Sequence, residues 1–307
     1  MNHHAVILAL ISAGLFGAST PAAKALLGAI DPAILAGLLY CGAGIGVAIL
    51  RRSGRRLLSP LSAAEVALSR RDWPWLLGAI LAGGIIGPVL LMTGLARTDA
   101  STASLLLTLE GVATAFMAWF IFHENFDRRI ALGMTCLIAG AVVLSLSDKP
   151  SLANVLGPIV IVGACIAWGL DNNLTRKVSL ADPLQIVELK GLIAGPVNLA
   201  LGFSAGRHLP DLPTLATAAL IGFLGYGLSL ALFVLALRQL GTARTGAYFS
   251  TAPFFGTLLA IVILREPLSL QLIVAGILMA IGVWLHLTEH HEHEHVHEPM
   301  EHAHPHI

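Results

Sequence analysis

Charge is what this chain has least of. Only 12% of its 307 residues are Asp, Glu, Lys or Arg, against 56% hydrophobic, and the mean hydropathy is +0.81. A folded soluble domain needs more charge than this to cover itself, so a water-soluble globule is excluded and a lipid bilayer is the expected surrounding. Net charge is zero, which removes the usual argument for a nucleic-acid partner. Cysteine is scarce too: Cys41, Cys136 and Cys165 all fall inside apolar segments, without CxxC or metal spacing, and read as small buried side chains. No phosphate-loop motif is present, and neither an enzyme nor a required cofactor is expected.

What the chain does have is apolar length. About 20 residues cross the hydrocarbon core, and on that rule ten helices are expected, near 5–27, 32–50, 73–96, 100–122, 129–147, 154–175, 184–205, 213–237, 242–264 and 268–287. The first lacks a basic leader and is expected to be retained as a helix. With the N-terminus inside, twelve Lys and Arg fall on its side, among them Arg51, Arg52, Arg128, Arg129 and Arg176. Five (Lys24, Arg97, Lys149, Arg207 and Arg265) fall on the other. The positive-inside rule then puts both termini in the cytoplasm of a cell whose inner membrane holds the chain. The longest loop, 51–72, carries Ser62 and Glu65 at capping-box spacing and is expected to lie as a short interfacial helix anchored by Trp73 and Trp75.

A weak internal repeat organises these spans. Shifting the sequence by 142 residues sets Leu95, Ala118, Ile121, Glu124 and Gly140 on Leu237, Ala260, Ile263, Glu266 and Gly282. Asp31-Pro32 is echoed by Asp182-Pro183, and GLFGASTPAAK at 14–24 by AWGLDNNLTRK at 167–177. Five helices is an odd number, so a second copy enters the membrane upside down. Inverted repeats with a binding site at the midplane are the architecture of secondary transporters. The expected fold is therefore all-α, ten transmembrane helices in two inverted five-helix repeats, 1–147 and 154–287, followed by a His-rich tail over 288–307.

At this point the sequence resembles the EamA family of the drug/metabolite transporter superfamily. The residues that carry the resemblance are Ala252-Pro253-Phe254-Phe255-Gly256 with Leu264-Arg265-Glu266-Pro267 in the second half, His123-Glu124-Asn125 in the first, and the aromatic-glycine pairs Phe16-Gly17 and Trp168-Gly169. It spans roughly residues 5–287 and implies two inverted halves around a central cavity that opens to alternate sides, with amino acids, other small metabolites or toxic organic compounds as cargo and no choice among them. The first half departs from the pattern, since Glu110-Gly111 stands where the second has Ala252-Pro253. A proline break is thus expected only in the second half.

Glu110 is the leading candidate for function. A charge at bilayer depth is costly and is turned toward protein or water, and burial disfavours the charged form of a carboxylate, which suits proton exchange. The alternative is a neutral acid holding helices together. Asp171, Asn172 and Asn173 could bind a polar substrate or simply end their helix. Glu188 and Lys190 are two apart and so do not share a face. Each should pair with another helix, Lys190 with Glu110 or Asp171. Tyr226, with Tyr40, Tyr248 and Trp168, has the amphipathic ring of a cavity wall. Glu124 and Glu266 look structural, pairing with Arg129 or Arg265.

In the tail, His290, His291, His293, His295, His297, His302, His304 and His306 alternate largely with Glu. Imidazoles ligate zinc, nickel and cobalt, so loose, exchanging metal sites are expected there. The function these features support is proton-coupled export of a small-molecule substrate. A divalent-metal exporter using the tail is one alternative, and a membrane-anchored metal sensor or scaffold another. Substrate and oligomeric state stay open.

Overall fold

The computed structural model describes residues 3–53, 68–122, 128–146, 152–178 and 182–287. Every element among the described residues is helical. Among the described residues nine helices are long and apolar enough to cross a membrane, and Leu270–Leu285 forms a shorter apolar one. The chain is a multi-pass membrane protein. Large apolar side chains such as Ile7, Ile49, Leu81, Phe120, Val262 and Trp284 stand exposed on its outside, which is stable only against lipid.

In chain order the helices are α1 (His3–Leu26), α2 (Pro32–Ser53), α3 (Trp73–Leu95), α4 (Ala100–Leu106 and Leu109–Phe122), α5 (Arg128–Ser145), α6 (Leu152–Arg176), α7 (Pro183–Ser204), α8 (Leu212–Leu240), α9 (Thr242–Phe249 and Ala252–Ile263) and α10 (Leu270–Leu287). The Asp-Pro pairs start α2 and α7 in the same way. Asp31 Oδ1 accepts from Ala33 N at 3.0 Å and Asp182 Oδ1 from Leu184 N at 2.8 Å, while proline takes a first-turn position where no N–H is needed.

Helices α2 and α7 pack on each other, as do α5 and α10. A Cβ on Gly44 would stand 2.7 Å from the Gly191 backbone, so only glycine permits this α2–α7 approach. Around these pairs, α3 and the second part of α4 pack on α6, and α8 and α9 pack on α1. The cavity lies between these two groups.

Two kinds of interruption recur. Within α3, Ile80–Ile86 is wound as a wider π-helix, and within α8, Phe223–Leu228 is too. Such bulges leave carbonyls without their ordinary partner and often mark functional sites. Here side chains take them up: Gly83 O accepts from Tyr40 Oη at 2.6 Å and Trp168 Nε1 at 2.9 Å, and Gly84 O from Asn198 Nδ2 at 3.0 Å. Helices α4 and α9 are both broken, at Leu107–Thr108 and Ser250–Thr251. A proline break occurs in the second half alone, as expected, but the first half is broken as well. Proline begins the resumed helix in α9, but in α4 the turn closes without one. There Glu110 N bonds Leu107 O at 3.1 Å, Gly111 N bonds Thr108 O at 3.2 Å, and the Thr108 hydroxyl donates to Leu105 O at 2.8 Å. A threonine side chain bonding back to its own turn replaces the proline.

The capping-box loop around Ser62 and Glu65, together with Glu124, lies outside the described residues.

Candidate functional site

A cavity of about 440 Å³ opens between the two groups of helices. Its lining brings together Glu110 from α4, Trp168, Asp171, Asn172 and Thr175 from α6, and Lys190 from α7, facing rings from α1, α2, α8 and α9. The lining reaches Pro183 and Leu237, residues at the end of the bundle where Arg51 pairs with Asp182.

Glu110 sits in the first turn after the α4 break. A carboxylate at a helix N-terminus is favoured by the helix dipole, so the break both places and stabilises the acid. Asn172 Nδ2 donates to Glu110 Oε1 at 2.9 Å and to Thr114 Oγ1 at 3.1 Å. Thr114 in turn donates to Glu110 O at 2.8 Å. Asp171 is ion-paired with Lys190 and accepts from Thr175 Oγ1 at 2.8 Å, and Lys190 also donates to Thr175 Oγ1 at 3.1 Å. The side chains of Lys190 and Asp171 are 16% and 10% exposed, so removing either would strand a largely buried charge.

Of the residues singled out from sequence, Glu110, Asp171, Asn172, Lys190 and Tyr226 line the cavity. Asn173 and Glu188 do not. Asn173 is buried and donates to Gly169 O at 2.8 Å and Thr114 O at 3.1 Å, tying α6 to α4. Glu188 is ion-paired with Arg51, with Arg52 at 3.6 Å, so it and Lys190 leave α7 on different faces. The histidines of the tail, from His290 to His306, lie outside the described residues. Among the described residues no group of three or more His, Cys, Asp or Glu is placed to hold a metal ion.

Tyr40, Tyr226 and Trp168, named from sequence as wall rings, line the cavity and Tyr248 does not; the phenylalanines of the wall were missed. Tyr40 and Tyr226 have ring centroids 5.8 Å apart, Tyr226 and Phe16 5.8 Å, Phe16 and Phe249 5.2 Å, and Phe249 and Phe233 5.0 Å. The available signal was the aromatic-glycine pair. Phe16 and Trp168 both line the cavity. The glycine after each seats a resumed half-helix: Gly17 lies against the Ala252 backbone and Gly169 against Ala113 and Thr114.

The opposite end of the bundle is tied shut. Lys24 Nζ of α1 donates to Leu95 O at 2.7 Å and Thr98 O at 2.8 Å. Glu266 was expected to pair with Arg265; instead its oxygens accept from Ala100 N at 2.7 Å and Ser101 N at 2.8 Å. Arg265 takes a left-handed φ of 55°, which turns the chain so that Glu266 meets the free N–H groups that open α4. Thr257 Oγ1 adds a bond to Ser101 O at 3.1 Å. Cation on carbonyls and carboxylate on amides together join α1 and α9 to the α3–α4 turn.

The model of the EamA-like transporter family matches residues 3–146 and again 155–288. The chain belongs to the EamA-like transporter family. An uncharacterized transporter from Methanothermobacter thermautotrophicus is 31% identical over 291 residues, covering 91% of this chain and 84% of that one. The 4-amino-4-deoxy-L-arabinose-phosphoundecaprenol flippase subunit ArnE of Pseudomonas aeruginosa, a probable assignment by its name, is 34% identical over 114 residues, 37% of this EamA-like chain and 95% of its own. A solved crystal structure superposes with a TM-score of 0.64 at 18% identity, covering 93% of this chain and 97% of the other, which shows a shared fold.

Proposed function

We propose that this EamA-like transporter is a proton-coupled exporter of small organic molecules. In this reading ten helices cross the inner (plasma) membrane as two inverted halves, 1–147 and 154–287. The observation that carries it is the cavity with a carboxylate at its inner end, tied shut beyond Glu110 by Lys24 and Glu266 and reaching toward Arg51. That is the form of one state of an alternating-access carrier. The recurrence of a π-helical stretch and a broken helix in each half, with Ile86 and Leu228 142 residues apart, supports the repeat. The excess of Arg and Lys at the Arg51 end supports cytoplasmic termini and loading from inside.

Glu110 is the coupling group in this proposal. Proton entering from outside would neutralise it and release cargo, and loss of that proton to the cytoplasm would reset the site. The 288–307 tail is a separate appendage for divalent metal, supported by its histidine content alone.

The test is substrate-driven proton flux in everted vesicles, read with a pH dye, for the native chain and Glu110→Gln. Flux present in the first and absent in the second is expected. Equal flux in both would remove Glu110 from coupling.

A second reading, movement of a lipid-linked solute, is favoured by an apolar groove of about 730 Å³ lined by Leu109, Phe116, Phe120, Ile138 and Val162 between α4, α5 and α6, and by the name of the ArnE relatives. Translocation of a polyprenyl-phosphate sugar in liposomes that hold no water-soluble substrate would favour it.

A further inference from the structure

The cavity has a charge balance that selects among cargoes. Among the described residues the acidic and basic side chains that line it are Glu110, Asp171 and Lys190. Asp171 and Lys190 are paired with each other and share Thr175, so together they contribute no net charge. The hydrogen-bond partner of the Glu110 carboxylate in the cavity is the neutral amide of Asn172. Deprotonated Glu110 therefore leaves one negative charge to be balanced. A buried charge is tolerated when an opposite charge meets it, and among the described residues the cavity wall has no second base to do so.

The facing wall is aromatic. The series Tyr40, Tyr226, Phe16, Phe249 and Phe233 runs across it with neighbouring centroids 5.0–5.8 Å apart, and Trp168 closes the α6 side. Ring faces attract cations, most strongly when water is excluded, and the same rings offer apolar area to a hydrocarbon body. An anion placed here would confront Glu110. A zwitterion would need a base for its carboxylate, and Lys190 is already engaged by Asp171.

Resting on the carrier reading above, we infer that the cargo is an organic monocation: an ammonium or delocalised onium group on an apolar or aromatic body small enough for about 440 Å³. Cation and proton then exclude each other at Glu110, so that binding one displaces the other. Amino acids and organic acids are rejected by the same arrangement.

The experiment uses full-length protein in liposomes with three probes: tetraphenylphosphonium as monocation, phenylalanine as zwitterion and benzoate as anion. Binding and proton flux are measured side by side. Saturable tetraphenylphosphonium binding is expected, lost in Glu110→Gln, an isosteric change that keeps an acceptor for Asn172. Phe16→Leu should weaken it about threefold to tenfold with the charge unchanged. In Asp171→Asn, Lys190 is released to balance Glu110, and cation binding should fall at least about tenfold. Native unfolding temperature in Glu110→Gln would show that the loss is not misfolding.

Absence of saturable cation binding, or binding untouched by Glu110→Gln, overturns the inference. Phenylalanine or benzoate driving proton flux while tetraphenylphosphonium does not bind also overturns it, yet leaves the carrier standing. Conversely, Glu110-dependent cation binding with no flux from any probe upholds the site and counts against the carrier.

Discussion

The two helix breaks occupy matching places and carry opposite chemistry. In α9 the resumed helix opens with Ala252-Pro253, and Ala252 is 1% exposed, packed against Gly17. In α4 it opens with Glu110-Gly111, where Glu110 faces the cavity and a Cβ on Gly111 would meet nothing within 4 Å. One break is a packing joint and the other presents an acid. The difference teaches that a break in the backbone sets where a half-helix can start, while the first residues of that half-helix decide whether the position is filled or reactive.

Breaking that comparison at Glu110 should have the largest effect. Glu110→Gln keeps the hydrogen bond from Asn172 and removes the exchangeable charge, so coupled flux should fall to background with little change in unfolding temperature. At the packing joint the order is reversed. Gly17→Val drives side-chain atoms into the Ala252 backbone and should cost roughly 1–3 kcal/mol or more, read as a lowered unfolding temperature in detergent. Its counterpart control, Gly111→Ala, enters open space and should be neutral or stabilising by about 0.4–1 kcal/mol.

Between these lies Glu266→Ala. It strips the carboxylate from the amides of Ala100 and Ser101 and should cost about 0.5–2 kcal/mol, as loss of an N-terminal helix cap does. It should also raise the accessibility of a cysteine placed at Ser104, a buried residue behind the tie. Unchanged labelling there would mean that the Lys24 contacts hold that end closed by themselves.

Much of the site was legible because ionisable residues are so rare in this chain. Glu110 and Lys190 stand out from apolar runs, and the two-residue spacing of Glu188 and Lys190 correctly separated their partners. The all-helical, membrane-spanning character was readable for the same reason, since long apolar spans between Pro, Gly and Arg leave few choices. The phenylalanines of the aromatic wall were not readable. Phe16, Phe233 and Phe249 come from three helices, and in a membrane protein a phenylalanine faces lipid as readily as a cavity, as exposed Phe120 does. Nor was the α4 break, because Thr108 makes a backbone turn with no sequence mark as loud as proline. Glu266 misled since sequence pairs a carboxylate with the nearest arginine, whereas its partners are main-chain N–H groups more than 160 residues away.

The widened turns of α3 hold one more consequence. A π-helical bulge is an extra residue accommodated without breaking the rod, and one residue of α-helix corresponds to about 100° of rotation and 1.5 Å of rise. Were Ile80–Ile86 to rewind as ordinary helix, Trp73–Ala79 would swivel against Gly87–Leu95 by about that angle. Both Tyr40 and Trp168 hang from the single oxygen of Gly83, so one such swivel would let go of two walls of the chamber at once. The rod is, in effect, a latch with a single pin.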